Sequence, residues 1–221
     1  MASLGSGTVS GEELARSLEA AAASFAPGEL AYLALTSKIE RPLQDRLAWV
    51  LHTRLPGLVV SREWRATDIA ILSAGAQFPL VLLEAKAMYS FDVAWEHRAG
   101  ATAYPRLMRH DIAKARALDP HGAADVYVLA LVTHPHGRPP TLPGVIKYLD
   151  RINRALNTGS PEDLQLMSAA TMRQALTPLG QVQSGNLPGG TAFGVEVTIG
   201  YWLVGPAHQP DPGRSASIRY P

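Results

Sequence analysis

Apolar and polar positions along the chain first change period near residue 58. Before that point the spacing is helical. Ser10 followed by Gly11-Glu12-Glu13 reads as a helix start, and the Ala-rich stretch Leu14 to Phe25 carries its apolar residues at helical intervals until Pro27-Gly28 breaks it. Glu29 to Ser37 is a second helical piece leading to Glu40. Pro42 suits the first position of a third helix, where its missing N–H is not needed, and Leu43, Leu47, Val50 and Leu51 form that helix's apolar stripe up to Leu55-Pro56-Gly57.

From Leu58 the pattern is that of strands. Leu58-Val59-Val60, with Glu63-Trp64 near its end, Thr67 to Leu72 and Pro79 to Ala87 predict three strands, the last two joined by a turn at Ser73-Ala74-Gly75. Ala94 to Leu118 reads as helical with an interruption at Tyr104-Pro105, and Asp125 to Val132 as a buried central strand. Beyond it, His134 to Pro143 reads as a Pro-rich loop. Val145 to Leu156 and Pro161 to Leu176, the latter capped by Ser160, read as helices, and Thr191 to Val204 as a strand. Gly205 to Pro221, with four prolines, reads as a flexible tail. The expected architecture is α/β: a mixed central sheet flanked by helices, with a C-terminal helix-helix-strand extension. The expected organisation is an N-terminal helical segment (1–37), a core (38–132), an extension packed on that core (133–204) and the tail (205–221).

Composition narrows the chemistry. With 221 residues and 47% hydrophobic content the chain can bury a core unaided. It has no cysteine, which excludes disulfides and thiolate-bound zinc and fits a reducing compartment. The longest apolar runs are far short of the roughly 20 residues of a membrane span, and Ser3 to Ser10 is polar and Gly-rich, unlike a signal peptide. The expectation is a cytoplasmic protein with no membrane partner. A net charge of +1 leaves any nucleic-acid contact to local basic surface. Residues 38–65 hold six Lys/Arg against three acids, and residues 96–116 five against two.

Charged residues stand out where strands are otherwise apolar. Asp68 lies in Thr67-Asp68-Ile69-Ala70-Ile71-Leu72, and Glu84 and Lys86 follow Pro79-Leu80-Val81-Leu82-Leu83. Buried charge is costly unless paired or bound to metal. Alternation puts Glu84 and Lys86 on one face, and a hairpin would bring Asp68 beside Glu84. Two carboxylates and an ammonium at a sheet end suit Mg²⁺, with Mn²⁺ as a substitute. The cation would orient a phosphodiester, while Lys86 holds the attacking water or offsets developing negative charge. The bland alternatives are a hairpin cap for Asp68 and a surface pair for Glu84 and Lys86.

Asp68 followed sixteen residues later by Glu84-x-Lys86, in a hairpin preceded by an acidic helix and followed by a helix and a strand, resembles the PD-(D/E)XK nuclease superfamily. The resemblance covers roughly residues 38 to 132; Thr67 stands where proline often precedes the Asp. It implies a restriction-endonuclease-like core and Mg²⁺-dependent hydrolysis of phosphodiester bonds, most simply in DNA. It also implies that an acid of the first core helix completes the site. Glu40 is the candidate, Asp45 its competitor, with Gln44, one turn after Glu40 on the same face, as an expected nucleic-acid contact. The carbonyl of Ala85 would bind metal, and Lys114 would face substrate phosphate. Arg62, Arg65 and Arg109 would extend a basic rim. A homodimer or a larger defence or repair complex would be compatible. Two alternatives stay open: a catalytically silent nucleic-acid-binding or scaffold module on the same fold, and an α/β interaction protein. His134-Pro135-His136 reads as a loop pair rather than a metal site, and Trp64, Trp95 and Tyr104 as core aromatics rather than base-stacking platforms.

Overall fold

The structure is a computed structural model describing residues 9–75, 78–94, 100–119 and 121–207. Trp95 and residues 208–221 of the expected tail lie outside them.

Three helices come first: α1 (Gly11–Ala23), α2 (Glu29–Thr36) and α3 (Glu40–Arg54). Ser10 caps α1 as its position suggested, its side chain accepting from the N–H of Glu13 at 3.2 Å. Then follow β1 (Leu58–Trp64), β2 (Thr67–Ser73), β3 (Pro79–Tyr89), α4 (Ser90–Ala94), α5 (Gly100–Ala117) and β4 (Asp125–Pro135). The chain closes with α6 (Leu149–Leu156), α7 (Pro161–Leu176), a short 3-10 turn (Thr177–Leu179), β5 (Val182–Ala192) and β6 (Val195–Val204). The six strands form one mixed sheet in the order β1-β2-β3-β4-β6-β5. β3 and β4 pair in parallel, and every other neighbouring pair is antiparallel. Parallel pairing needs a long crossover, which α4 and α5 occupy.

Side-chain alternation divides the core into two layers. Ile69 and Ile71 of β2 and Val81, Leu83, Ala85 and Ala87 of β3 pack with α1, α2, α3 and α6 on one face. Ala70, Leu72, Leu82 and Met88 face the other way and pack with Met108, Ile112 and Ala115 of α5 and Met172 and Leu176 of α7.

Several elements differ from expectation, each for a local reason. α5 runs straight through Pro105. The lost hydrogen bond there is outweighed by the buried stripe of Met108, Ile112 and Ala115. α6 starts at Leu149, not Val145, because Tyr148 takes a left-handed φ of 60° that breaks the helical phase. β4 continues to Pro135, so His134 and Pro135 belong to a strand instead of a loop. The proposed extension contributes two strands, not one. The Gly-rich β5 has no apolar alternation, and the span read as a single strand turns at Phe193 and Gly194, both with positive φ. β6 pairs along β4, so residues read as an extension build the same sheet as the core. At the start of the expected tail, Ala207 donates its N–H to the carbonyl of Val126 at 2.8 Å and is held against the sheet.

Trp64 pairs with Thr67 across a two-residue turn whose members, Arg65 (φ 49°) and Ala66 (φ 68°), are both left-handed. Neither residue favours that region, and Asn-Gly does. Replacing Arg65-Ala66 by Asn-Gly is expected to raise stability by about 1 kcal/mol. An unchanged or lower urea midpoint would mean that the wild-type side chains offset this strain.

Candidate functional site

The site forms where β2 parts from β3. Their pairing runs from Leu72 opposite Pro79 to Ile69 opposite Leu83 and stops there. Past that fork the edge of β3 still presents ladder N–H groups, which need partners. Ala85 donates its N–H to Oδ2 of Asp68 at 2.7 Å, and Ala87 donates to Oε2 of Glu40 at 2.9 Å. Two carboxylates, one from β2 and one from the first turn of α3, thus replace the missing strand.

Asp68 shares the alternation of Ala70 and Leu72, and Glu84 and Lys86 share that of Leu82 and Met88. The three therefore stand on the α5 face of the sheet. From α5, three residues apart and so on one side of the helix, Asp111 and Lys114 reach toward them. The contacts run crosswise: Lys86 Nζ lies 3.1 Å from Oδ2 of Asp111, and Lys114 Nζ lies 3.2 Å from Oε1 of Glu84. Lys86 also donates to the carbonyl of Ala85 at 3.2 Å, and Lys114 to that of Ala66 at 2.5 Å.

Glu84 is 2% exposed. Burial, with the nearby charge of Asp68, pushes its carboxyl from 4.5 up to about 7, against the opposing pull of Lys114. Burial works against the charge of Lys86, but the Asp111 carboxylate beside it, with the charges of Asp68 and Glu40, outweighs it. The Lys86 ammonium is held above the ordinary lysine range. It therefore stays protonated at neutral pH and acts as a donor and a positive charge, not as a base.

Other residues singled out from the sequence are placed as follows. Gln44 is buried one turn after Glu40 on α3, and its Nε2 has no partner among the described residues. Asp45 is half exposed and bound to Arg62 at 2.5 Å, so that Arg62 is not a free rim cation and Asp45 does not reach β3. Arg65 lies exposed over the ring of Trp64, and Arg109 is exposed on α5. Trp64 and Tyr104 pack on the α5-side core. His134, read as a loop residue, is buried, and its Nδ1 shares a hydrogen bond with Ser90 at 3.0 Å. Burial first, then the neighbouring His136, lowers its pKa to about 4, which suits a neutral core histidine.

Asp111 is the site residue that sequence reasoning missed. A lone Asp on an exposed-looking helix gives no signal until α5 is laid over β3. Among the described residues no three His, Cys, Asp or Glu side chains gather closely enough to hold a metal as they stand. Two of the expected oxygen donors, Glu84 and the carbonyl of Ala85, instead receive lysine ammonium groups.

The observed class is an α/β protein with a mixed six-stranded sheet flanked by helices and a charged site at a strand fork. Among the described residues no helix is long and apolar enough to cross a membrane. Compared with family models, with curated proteins and with solved structures, the chain matches none.

Proposed function

We propose that this chain is a metal-dependent nuclease of the PD-(D/E)XK kind, with a restriction-endonuclease-like core, that hydrolyses phosphodiester bonds in DNA. The observation that carries this reading is the fork, where Asp68, Glu84 and Lys86 stand on one face and Glu40 arrives from α3 at the same strand edge.

The donor set fits a hard divalent cation. Four carboxylates (Glu40, Asp68, Glu84 and Asp111) meet two ammonium groups (Lys86 and Lys114), a formal charge of 4 × (−1) + 2 × (+1) = −2 once the pH is above the Glu84 value of about 7. Those ammonium groups already sit on oxygens that a cation would use, which marks the places as cation-seeking. Asp68, Glu84 and the Ala85 carbonyl would hold Mg²⁺ or Mn²⁺, with Glu40 beside them. The bound ion would supply Lewis-acid polarisation of the phosphate and a more acidic water. Lys86, kept protonated and aimed by Asp111, would orient the attacking oxygen and offset charge gathering on the phosphate. Arg65, Arg109 and Lys114 would contact the backbone, and the buried Gln44 would steady the Glu40 end. A cytoplasmic setting and a homodimeric or larger defence or repair assembly are compatible with this reading.

A second reading, a silent nucleic-acid-binding or scaffold module, is favoured by the internal pairing of Lys86 with Asp111 and of Lys114 with Glu84. Plasmid, single-stranded DNA and RNA incubated with the protein, with and without Mg²⁺ or Mn²⁺, decide between the two. Metal-dependent cleavage of DNA is expected, and binding without cleavage under every condition would favour the silent module.

Within the site, Glu40→Gln is expected to slow cleavage at least about tenfold while Asp45→Asn changes it little, because Glu40 reaches β3 and Asp45 is engaged with Arg62. The opposite ranking in a single-turnover assay would remove Glu40 from the site.

A further inference from the structure

Glu84 takes its counter-charge from Lys114, a residue of another element. Glu84 follows the apolar run of β3 and stands opposite Val128 of β4 in the parallel pair. A carboxylate buried this deeply needs a counter-charge. Lys86, two residues along the same face, would be the near candidate, but it is drawn to Asp111. The counter-charge comes instead from a helix thirty residues away in sequence, on a long side chain that is itself 38% exposed. Such a side chain has room to leave. Its other anchor is the carbonyl of Ala66, in the strained turn that carries Arg65.

We propose that Lys114 is a resident counter-cation of Glu84 that a divalent metal must displace, and that the displaced ammonium then becomes a contact for substrate phosphate. The inference rests on the nuclease reading and gives it an order of events. Before metal binds, Lys114 holds Glu84 and ties the β1–β2 turn to α5. A divalent cation arriving at Glu84 brings twice the charge to the same oxygen and repels the ammonium. Lys114 can move only outward, since β3 lies behind it, and the outward side is where a polyanion would lie. The site thus keeps its buried acid neutralised in both states and exposes its phosphate contact only when metal is loaded.

The test is calorimetric titration of Mn²⁺ at pH 8, above the value of about 7 at which Glu84 gives up its proton, into the wild-type protein, Lys114→Met and Lys114→Arg. Removing a competing ammonium is expected to tighten Mn²⁺ binding by about tenfold or more in Lys114→Met, with Lys114→Arg staying near wild type. Should Lys114→Met fold poorly, Lys114→Gln followed by thermal unfolding serves the same end, with a larger Mn²⁺-induced rise in Tm than wild type expected. A duplex oligonucleotide titrated across a salt series adds an independent readout. Lys114→Met should lower the salt slope by about one in Ca²⁺ but leave it unchanged in EDTA. Equal or weaker Mn²⁺ binding in Lys114→Met and Lys114→Gln, with clear binding by wild type, would overturn the inference and leave the nuclease reading standing. No Mn²⁺ binding by any of the proteins would overturn both.

Discussion

On the proposed reading, Asp68→Ala, Glu84→Ala and Lys86→Ala are each expected to reduce metal-dependent cleavage at least about a hundredfold, while DNA affinity measured without metal changes little; this is the largest effect that the site geometry predicts. The expectation follows from the separate duties of the three side chains. Asp68 and Glu84 belong to neighbouring strands but share the alternation of the residues that face α5, so both carboxylates lie on the side from which one cation would approach. Lys86 is held on that face by Asp111 and is kept charged by its neighbours, so its removal takes away a donor that acts where charge develops. Phosphate affinity draws on other groups, among them Arg65 and Arg109, and should largely survive. The variants should be compared under single-turnover conditions, with folding checked by circular dichroism. Wild-type cleavage by Lys86→Ala would show that the Glu-x-Lys pattern is incidental.

The second large effect concerns stability and its dependence on pH. The carboxyl of Glu84 holds its proton up to about pH 7 in the folded protein, whereas in the unfolded chain it releases it near 4.5. Between those values the folded state binds more protons, so this group's contribution is fully present below about pH 4.5 and is lost as pH rises toward 7. The shift of roughly 2.5 units corresponds to a loss on the order of 3 kcal/mol. Glu84→Gln carries no charge to bury. In metal-free buffer it should match wild type near pH 4.5 and be more stable at pH 8, by on the order of 3 kcal/mol, since the shift already includes the opposing pull of Lys114. Urea unfolding of both proteins across that range measures the difference. A gap that stays constant with pH would mean that Glu84 is not the titrating group. More stable yet inactive is the signature expected of a functional charge held at a cost to the fold.

The first half of the sequence was more legible than the second, and the reason lies in how each element is stabilised. α3, β2 and β3 are built from regular apolar stripes, so their period shows on inspection. β5 is held by its ladder with β6 and by contacts from α1 and α2 rather than by any hydrophobic pattern of its own. Nothing in Val182–Ala192 announces a strand. His134 looked like part of a loop because Pro135 and the prolines that follow suggested one, although the strand continues to Pro135. At the site, the grouping of Asp68, Glu84 and Lys86 on one face was readable from strand alternation. The crosswise pairing with Asp111 and Lys114 was not. It depends on how α5 lies across the sheet, which is a tertiary fact that no local spacing encodes.

If the fork between β2 and β3 holds a divalent metal, crystallography with Mn²⁺ will show it there, because the anomalous signal locates the ion. A peak is expected within coordination distance of both Asp68 and Glu84, with Lys114 no longer on Glu84. A protein saturated with Mn²⁺ whose peak lies away from this fork, with the Glu84–Lys114 pair intact, would contradict the metal-site reading.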